Sequence, residues 1–388
     1  MIRNHRCPIC ESASDSVLKL RLNTKMKLPT EPEIRYCASD NFLFVADGSQ
    51  QDYDEYYKSL ANDSYHTELS GGNLRSPISK LQRDHLVEAS RGFFEPNRRV
   101  LDFGCGEASL LVELAIDFPS SIFFGFDPGP ASQIGRSKAA SLGLENLFVA
   151  DLKECINRGP YDLVIASHVV EHLLDFDLLH LLNTLLVEDG LLYVEVPNAL
   201  QYSTHNRQEF LYYFDRLHVN HFTPQSLARI AAKAGFGYVR HFEYGFPYRD
   251  GNAYPALGMV FKKGEVSSAI SSPTLLETTK HYISQEKERA RKVAAQFNAY
   301  EGVLVWGAGD NFYRSVENDG PLSRLHNMVV LDRRPQEISI GDRKYTTRDP
   351  QDGIRLHPWP VVVTVSEARR SIGEQVTNID PSRQIFFV

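Results

Sequence analysis

The chain has 388 residues, 42% hydrophobic and 23% charged, with 42 Lys and Arg against 49 Asp and Glu for a net charge of -7. This is an ordinary globular composition with material for two or three domains, and its acidic balance argues against a general nucleic-acid binder, which carries a basic face. The first ten residues hold charge but no apolar stretch, no run approaches a membrane span, and five cysteines do not make a disulfide scaffold; the expectation is a cytoplasmic protein with no nucleic-acid or membrane partner.

Residues 1–50 are short strand-like pieces broken by polar turns, a small N-terminal unit containing Cys7-Pro8-Ile9-Cys10 and Cys37. Residues 51–95 read as a helical, tyrosine-bearing region (Tyr53, Tyr56, Tyr57, Tyr65), broken at Ser70-Gly71-Gly72-Asn73 and continued by an amphipathic helix over 78–90. From Arg99 strands and helices alternate. Strands are predicted at 100–103, 122–126, 147–149, 163–166 and 191–196, a helix at 224–234, and closing strands near 238–242 and 257–261. That alternation predicts an α/β fold, a doubly wound Rossmann-like sheet over residues 96–262. A polar helical connector follows at 263–297, whose charge run 286–292 reads as a solvated face. A second α/β, Rossmann-like unit spans 298–388. Its strand 303–306 runs into Gly307-Ala308-Gly309, and Asp332 ends the next strand.

Within the central unit, Asp102-Phe103-Gly104-Cys105-Gly106-Glu107 puts a carboxylate at a strand end, two glycines in a tight turn, and then a helix. Glycine permits positive φ and close backbone approach to a ligand. The third glycine of a dinucleotide fingerprint is missing, so pyrophosphate is not the preferred ligand. Asp127, followed by Pro128, ends the next strand, where a carboxylate reaches the hydroxyls of a ribose. Asp151, followed by Leu152, ends the third, within reach of an adenine amino group. Three carboxylates thus line the carboxyl edge of the sheet, where such folds bind ligands. A domain that binds another nucleotide, or none, is the alternative at this level.

As an ordered set these residues resemble class I S-adenosylmethionine-dependent methyltransferases over 96–262. The resemblance implies a cofactor held by Asp102, Gly104, Cys105 and Gly106 at its methionine part, Asp127 and Pro128 at the ribose, and Asp151 and Leu152 at the adenine. It also puts 161–168, ending at His168, under the transferring methyl. The run His168-Val169-Val170-Glu171-His172 matches an inverted zinc-protease pattern too, but it directly follows a buried strand. His172 reads as structural, His168 as a methyl-site residue. Segment 215–224 follows the fifth strand and should overlie the same edge. Methyl transfer to oxygen or carbon requires a proton acceptor, and histidine titrates near neutrality. His218 is the preferred general base and His221 a second candidate; capping or packing histidines are the alternative.

The layout further resembles sugar C-methyltransferases with a zinc-binding N-terminal domain and a C-terminal Rossmann-like domain. That resemblance implies a structural zinc on Cys7, Cys10 and Cys37, with Asp40 at the fourth position and His5 as a substitute, unless the thiols are simply free. It carries a His-Glu-His cluster where this chain reads Arg216-Leu217-His218, which gives O-methylation weight beside C-methylation. The expected acceptor is a small molecule, a nucleotide-linked or related sugar. Tyr65 is a candidate lining residue and Arg75 a candidate diphosphate contact. The C-terminal unit is foremost a scaffold or substrate wall, with nucleotide binding or a homodimer surface as alternatives. An NAD-dependent sugar oxidoreductase and a non-catalytic nucleotide-binding module are the rival functions.

Overall fold

Runs of β-branched and aromatic residues bounded by polar turns make the strands of three principal sheets in the computed structural model, which describes residues 5–22, 28–46, 48–59, 77–90, 93–94, 97–205, 209–247, 253–264, 270–365 and 368–388. The N-terminal strands β1 (Asp15–Lys19), β2 (Glu33–Cys37) and β3 (Phe42–Val45) form an antiparallel meander. Its fourth strand, β9 (Asn220–His221), comes from the far end of the central unit and pairs with β3. The N-terminal sheet therefore reaches beyond residue 50. Two residues of strand carry no readable periodicity, and only the open edge of β3 explains them.

The central sheet has the order β10-β11-β8-β7-β4-β5-β6. Strands β4 (Arg99–Phe103), β5 (Ile122–Phe126), β6 (Leu147–Ala150), β7 (Tyr161–Ser167) and β8 (Leu186–Pro197) are parallel. β10 (Phe236–Pro247) and β11 (Ala253–Lys263) add an antiparallel edge. Alternate residues of one strand feed two different cores. Leu101 and Val164 pack with Leu227 and Ile230 on one face, whereas Val100 and Leu163 pack with Leu111 and Leu114 on the other. The sheet is thus covered on both sides, as a period-2 strand of near-continuous apolar residues requires. Helices α1 (Gln50–Ser59), α2 (Pro77–Ala89), α3 (Ser109–Asp117), α4 (Ala131–Ser141), α5 (Leu152–Arg158), α6 (Asp177–Thr184) and α7 (Pro224–Lys233) accompany it. At the start of α7, Thr223 and Ser226 cap each other reciprocally and Pro224 takes a position where a missing N–H costs nothing. Strand order reverses about β4, the switch point at which ligands of such sheets bind.

The connector is one long helix, α8 (Leu275–Phe297). It is not a solvated face at Glu286, which is 1% exposed and accepts from the Leu211 N–H at 2.8 Å. Beyond it β12 (Val303–Trp306), β13 (Met328–Leu331), β16 (Val361–Val363) and β17 (Ile385–Phe387) form a parallel sheet in the order β13-β12-β16-β17. A hairpin of β14 (Glu337–Ile340) and β15 (Arg343–Thr346) and helices α9 (Asp310–Val316), α10 (Pro350–Leu356) and α11 (Arg369–Ile379) complete the unit. Among the described residues no helix is long and apolar enough to cross a membrane.

Candidate active site

At the switch point the chain leaves β4 through a turn with φ of +84° at Gly104 and +51° at Gly106. A side chain at Gly104 would start 2.5 Å from Val169 Cγ2, so glycine is required there for space as well as for φ. Gly106 has open space where a Cβ would stand. The turn is tied to β5 through Gly104 and Cys105 N–H groups that donate to the Phe126 carbonyl at 2.7 and 2.9 Å. Asp127 closes it from the other side, accepting from the Gly106 N–H at 3.0 Å and from the Gly129 N–H, beyond Pro128, at 2.7 Å. Asp151 is exposed and caps α5 by accepting from the Glu154 N–H at 2.8 Å, with Leu152 following in the helix.

Asp102 ends up 3% exposed, and its Oδ1 has no hydrogen-bond partner among the described residues. Burial, reinforced by the charges of Asp127 and Glu195, pushes its carboxyl up to about 8. An acid in that position favours a cationic neighbour.

His168 follows β7 with φ +54°. Its Nδ1 pairs with Glu171 Oε1 at 2.9 Å and its Nε2 lies 3.3 Å from Glu195 Oε1. Burial alone would lower its pKa, but the two carboxylates outweigh burial and lift it to about 10. The two carboxylates thus favour the imidazolium form of His168, the residue expected at the methyl site, as a fixed positive charge. Glu195, 1% exposed, accepts from Gln82 Nε2 at 2.7 Å, the Ser167 hydroxyl at 3.0 Å, the Tyr193 hydroxyl at 2.9 Å and the Tyr244 hydroxyl. Burial opposes its charge, yet His168 and these donors hold its carboxyl at about 2.

The loop histidines separate. His218 is partly exposed; its backbone N–H donates to Asp215 Oδ1 at 2.7 Å and its Nδ1 lies 3.4 Å from Asp215 Oδ2. The His172 ring lies 5.0 Å from it, oriented by a 3.0 Å contact between Nδ1 and the Leu217 carbonyl. Glu171, fully buried, has ligand atoms within 4.8 Å of both histidines, and its Oε2 has no hydrogen-bond partner among the described residues. A carboxylate absent from the loop at Leu217 thus arrives from the turn after β7. His221, by contrast, is 1% exposed on β9, bonded through Nδ1 to the Tyr202 hydroxyl at 3.0 Å, and burial pushes its pKa down to about 3. It is a neutral core histidine, which corrects its candidacy as an acid–base group.

Away from this edge, Cys7, Cys10, Cys37 and Asp40 bring one ligand atom each within 4.8 Å of one another. Cys7 Sγ lies 3.1 Å and Cys37 Sγ 3.5 Å from Asp40 Oδ2, and Cys10 and Cys37 sulfurs are 3.6 Å apart. The Ile9 N–H points at Cys7 Sγ at 3.4 Å. Burial pushes the Cys7 thiol up, and its hydrogen bond to Asp40 adds to that. His5 is exposed and sits 3.6 Å from Glu33 instead. Tyr65 and Arg75 lie outside the described residues. Sequence reading missed Glu171 as the histidines' partner and Glu195 altogether; the latter was embedded in an apolar strand run, where a lone acid already calls for explanation.

Residues 76–241 match the family model described as "Methyltransferase domain". The match runs from α2 into β10 of the central sheet. The chain is 35% identical over 86 residues to a release factor glutamine methyltransferase of Rhodospirillum rubrum, covering 21% of this chain and 26% of the relative. It is 29% identical over 119 residues to a probable (S)-tetrahydroprotoberberine N-methyltransferase 2 of Papaver bracteatum, covering 29% and 33%. The chain thus spans about a quarter to a third of the length of these curated relatives. Among solved structures, a magnesium protoporphyrin IX methyltransferase from Synechocystis PCC 6803 with bound SAH aligns at 16% identity and a TM-score of 0.42, over 55% of this chain and 100% of that one.

Proposed function

We propose that the chain is an S-adenosylmethionine-dependent methyltransferase that acts on a small-molecule acceptor, a nucleotide-linked or related sugar being the leading class, at carbon or oxygen. The observation that carries the cofactor is the buried Asp102 carboxyl, whose Oδ1 has no hydrogen-bond partner among the described residues, beside the open Gly106 backbone and the Asp127 carboxylate. A ligand with a cationic amino-acid end and a ribose suits that set: Asp102, Gly104, Cys105 and Gly106 would meet its methionine part, Asp127 and Pro128 its ribose, Asp151 and Leu152 its adenine. When bound, the cofactor supplies a methyl group made electrophilic by a sulfonium.

The chain's own part is to position and deprotonate the acceptor. His218, held by Asp215 at both its backbone and its ring, is the group proposed to take the acceptor's proton. Glu171 and His172 bring ligand atoms within 4.8 Å of it. His168 keeps a fixed positive charge between Glu171 and Glu195. Tyr65 and Arg75 stay proposed acceptor contacts. Cys7, Cys10, Cys37 and Asp40 would hold a zinc ion that staples the small N-terminal sheet; three sulfurs and one carboxylate suit that metal.

The test is calorimetric titration with S-adenosylhomocysteine, followed by transfer of tritiated methyl to a panel of hydroxy and keto nucleoside-diphosphate hexoses. Micromolar-range binding is expected; no binding up to about 1 mM rejects the cofactor assignment. Binding without labelling of any hexose rejects the sugar class. Metal analysis of protein made without chelators should return about one zinc per chain; less than about a tenth rejects that site.

A further inference from the structure

We infer that the C-terminal unit is the anchor of the loop that carries His218, and that Asp310 and Arg314 at the start and middle of α9 are positioning residues for it. The inference rests on the reading of His218 as proton acceptor.

Segment 209–218 has no glycine, yet Leu211 sits at φ +52°. A leucine in the left-handed region persists only where surrounding structure imposes it. The imposing contacts come from beyond the central unit. Arg216, 1% exposed, donates from Nη2 to Asp310 Oδ1 at 3.1 Å. Arg314, 4% exposed, crosses in the opposite sense, donating to Glu209 Oε2 at 2.9 Å and approaching the Tyr212 and Phe214 carbonyls at 3.5 and 3.4 Å. From α8, Glu286 accepts the Leu211 N–H at 2.8 Å, and Arg289 reaches the Glu209 carbonyl at 3.2 Å. Tyr282 packs its ring 5.7 Å from both Tyr213 and Phe214. Two buried cations of opposite origin, each with its carboxylate across the boundary, fix one register: shifting the loop would strand both. Arg216 is two residues from His218 and directly follows Asp215, which holds His218.

The same contacts account for the turn Gly307-Ala308-Gly309. Val365 and Thr364 side chains crowd Gly307, and Asn311 Nδ2 donates to the Thr364 and Val388 carbonyls at 3.0 and 2.8 Å. The carboxylate of Asp310 opens the helix where a phosphate would need bare N–H groups. Gly309 itself faces open space, and the Asp310 carboxylate that follows it goes to Arg216 of the loop.

The experiment uses the full chain with Asp310→Asn, Arg314→Lys and the swapped pair Arg216→Asp with Asp310→Arg. Hydrogen exchange of peptides covering 209–221 is read beside the His218 ring resonance in carbon-13 histidine-labelled protein and beside the affinity for S-adenosylhomocysteine. Both single variants should speed exchange of the loop about tenfold and displace the His218 resonance, with cofactor affinity within about twofold. The swapped pair should recover part of both changes. Unchanged exchange and resonance in both single variants overturn the inference, as does saturable NAD or uridine diphosphate binding that Asp310→Asn alters. If the loop loosens as expected while His218→Ala leaves methyl transfer untouched, the anchor stands and the proton-acceptor reading falls.

Discussion

Gly104-Cys105-Gly106 and Gly307-Ala308-Gly309 are near twins in sequence: each follows a buried parallel strand and precedes a helix. Their surroundings differ. Around the first, Gly106 faces open space, Asp127 accepts a turn N–H, and Asp102 lies buried with an oxygen unpartnered among the described residues. Around the second, Gly309 also faces open space and Val365 crowds Gly307 much as Val169 crowds Gly104, but Asn311 bridges the Thr364 and Val388 carbonyls and the adjoining carboxylate, Asp310, is committed to Arg216. A glycine pair specifies that the backbone may turn sharply; the commitments of the adjoining carboxylates are what set the two turns apart.

The comparison breaks most sharply at the paired aspartates. Asp127→Ala should weaken S-adenosylhomocysteine binding about a thousandfold, the equivalent of two charge-assisted hydrogen bonds, whereas Asp310→Ala should leave it within about twofold, both by calorimetry. Equal losses would erase the distinction. Next comes stability. Asp102 is raised from 3.8 to about 8 in the fold, so the native state holds a proton that the unfolded chain has lost between those values, and stability falls as pH rises through that window. Asp102→Asn should therefore raise the unfolding free energy of the ligand-free protein by about 5 kcal/mol at pH 8 and by little near pH 4, while losing cofactor affinity. A denaturant series at the two pH values measures it; no gain at pH 8 would mean that Asp102 carries no such strain. His218→Ala should cut methyl transfer about a hundredfold with cofactor affinity unchanged, once a transferring acceptor is found in the hexose panel. Smallest of all, fluorescence titration with NAD or NADP should give no saturable change at either turn; a saturable one would reopen the oxidoreductase alternative.

Much of the central unit was legible because its information is local. Period-2 apolar runs marked β4, β5, β6, β7 and β8, and Gly104 and Gly106 take the positive φ that the turn called for. Asp102, Asp127 and Asp151 do follow or end successive strands on one edge. What escaped depends on partners far along the chain. β9 exists as strand only because β3 offers an edge 175 or more residues earlier. Glu286 looked like one member of a solvated charge run until the Leu211 N–H came to it, and Arg216 and Asp310 are 94 residues apart. The histidines show the same limit. Spacing alone cannot tell a residue clamped by Glu171 and Glu195, a core residue on Tyr202, and a partly exposed one on Asp215 apart.

The central claim is that the acidic rim of the larger sheet, and not the second glycine turn, receives the cofactor. A crystal structure of the full chain with S-adenosylhomocysteine tests it directly. The expected result is ligand density bounded by Asp102, Gly106 and Asp127, with its adenine toward Asp151 and nothing at 307–310. Density at 307–310, or a ligand whose ribose lies away from Asp127, would contradict the account.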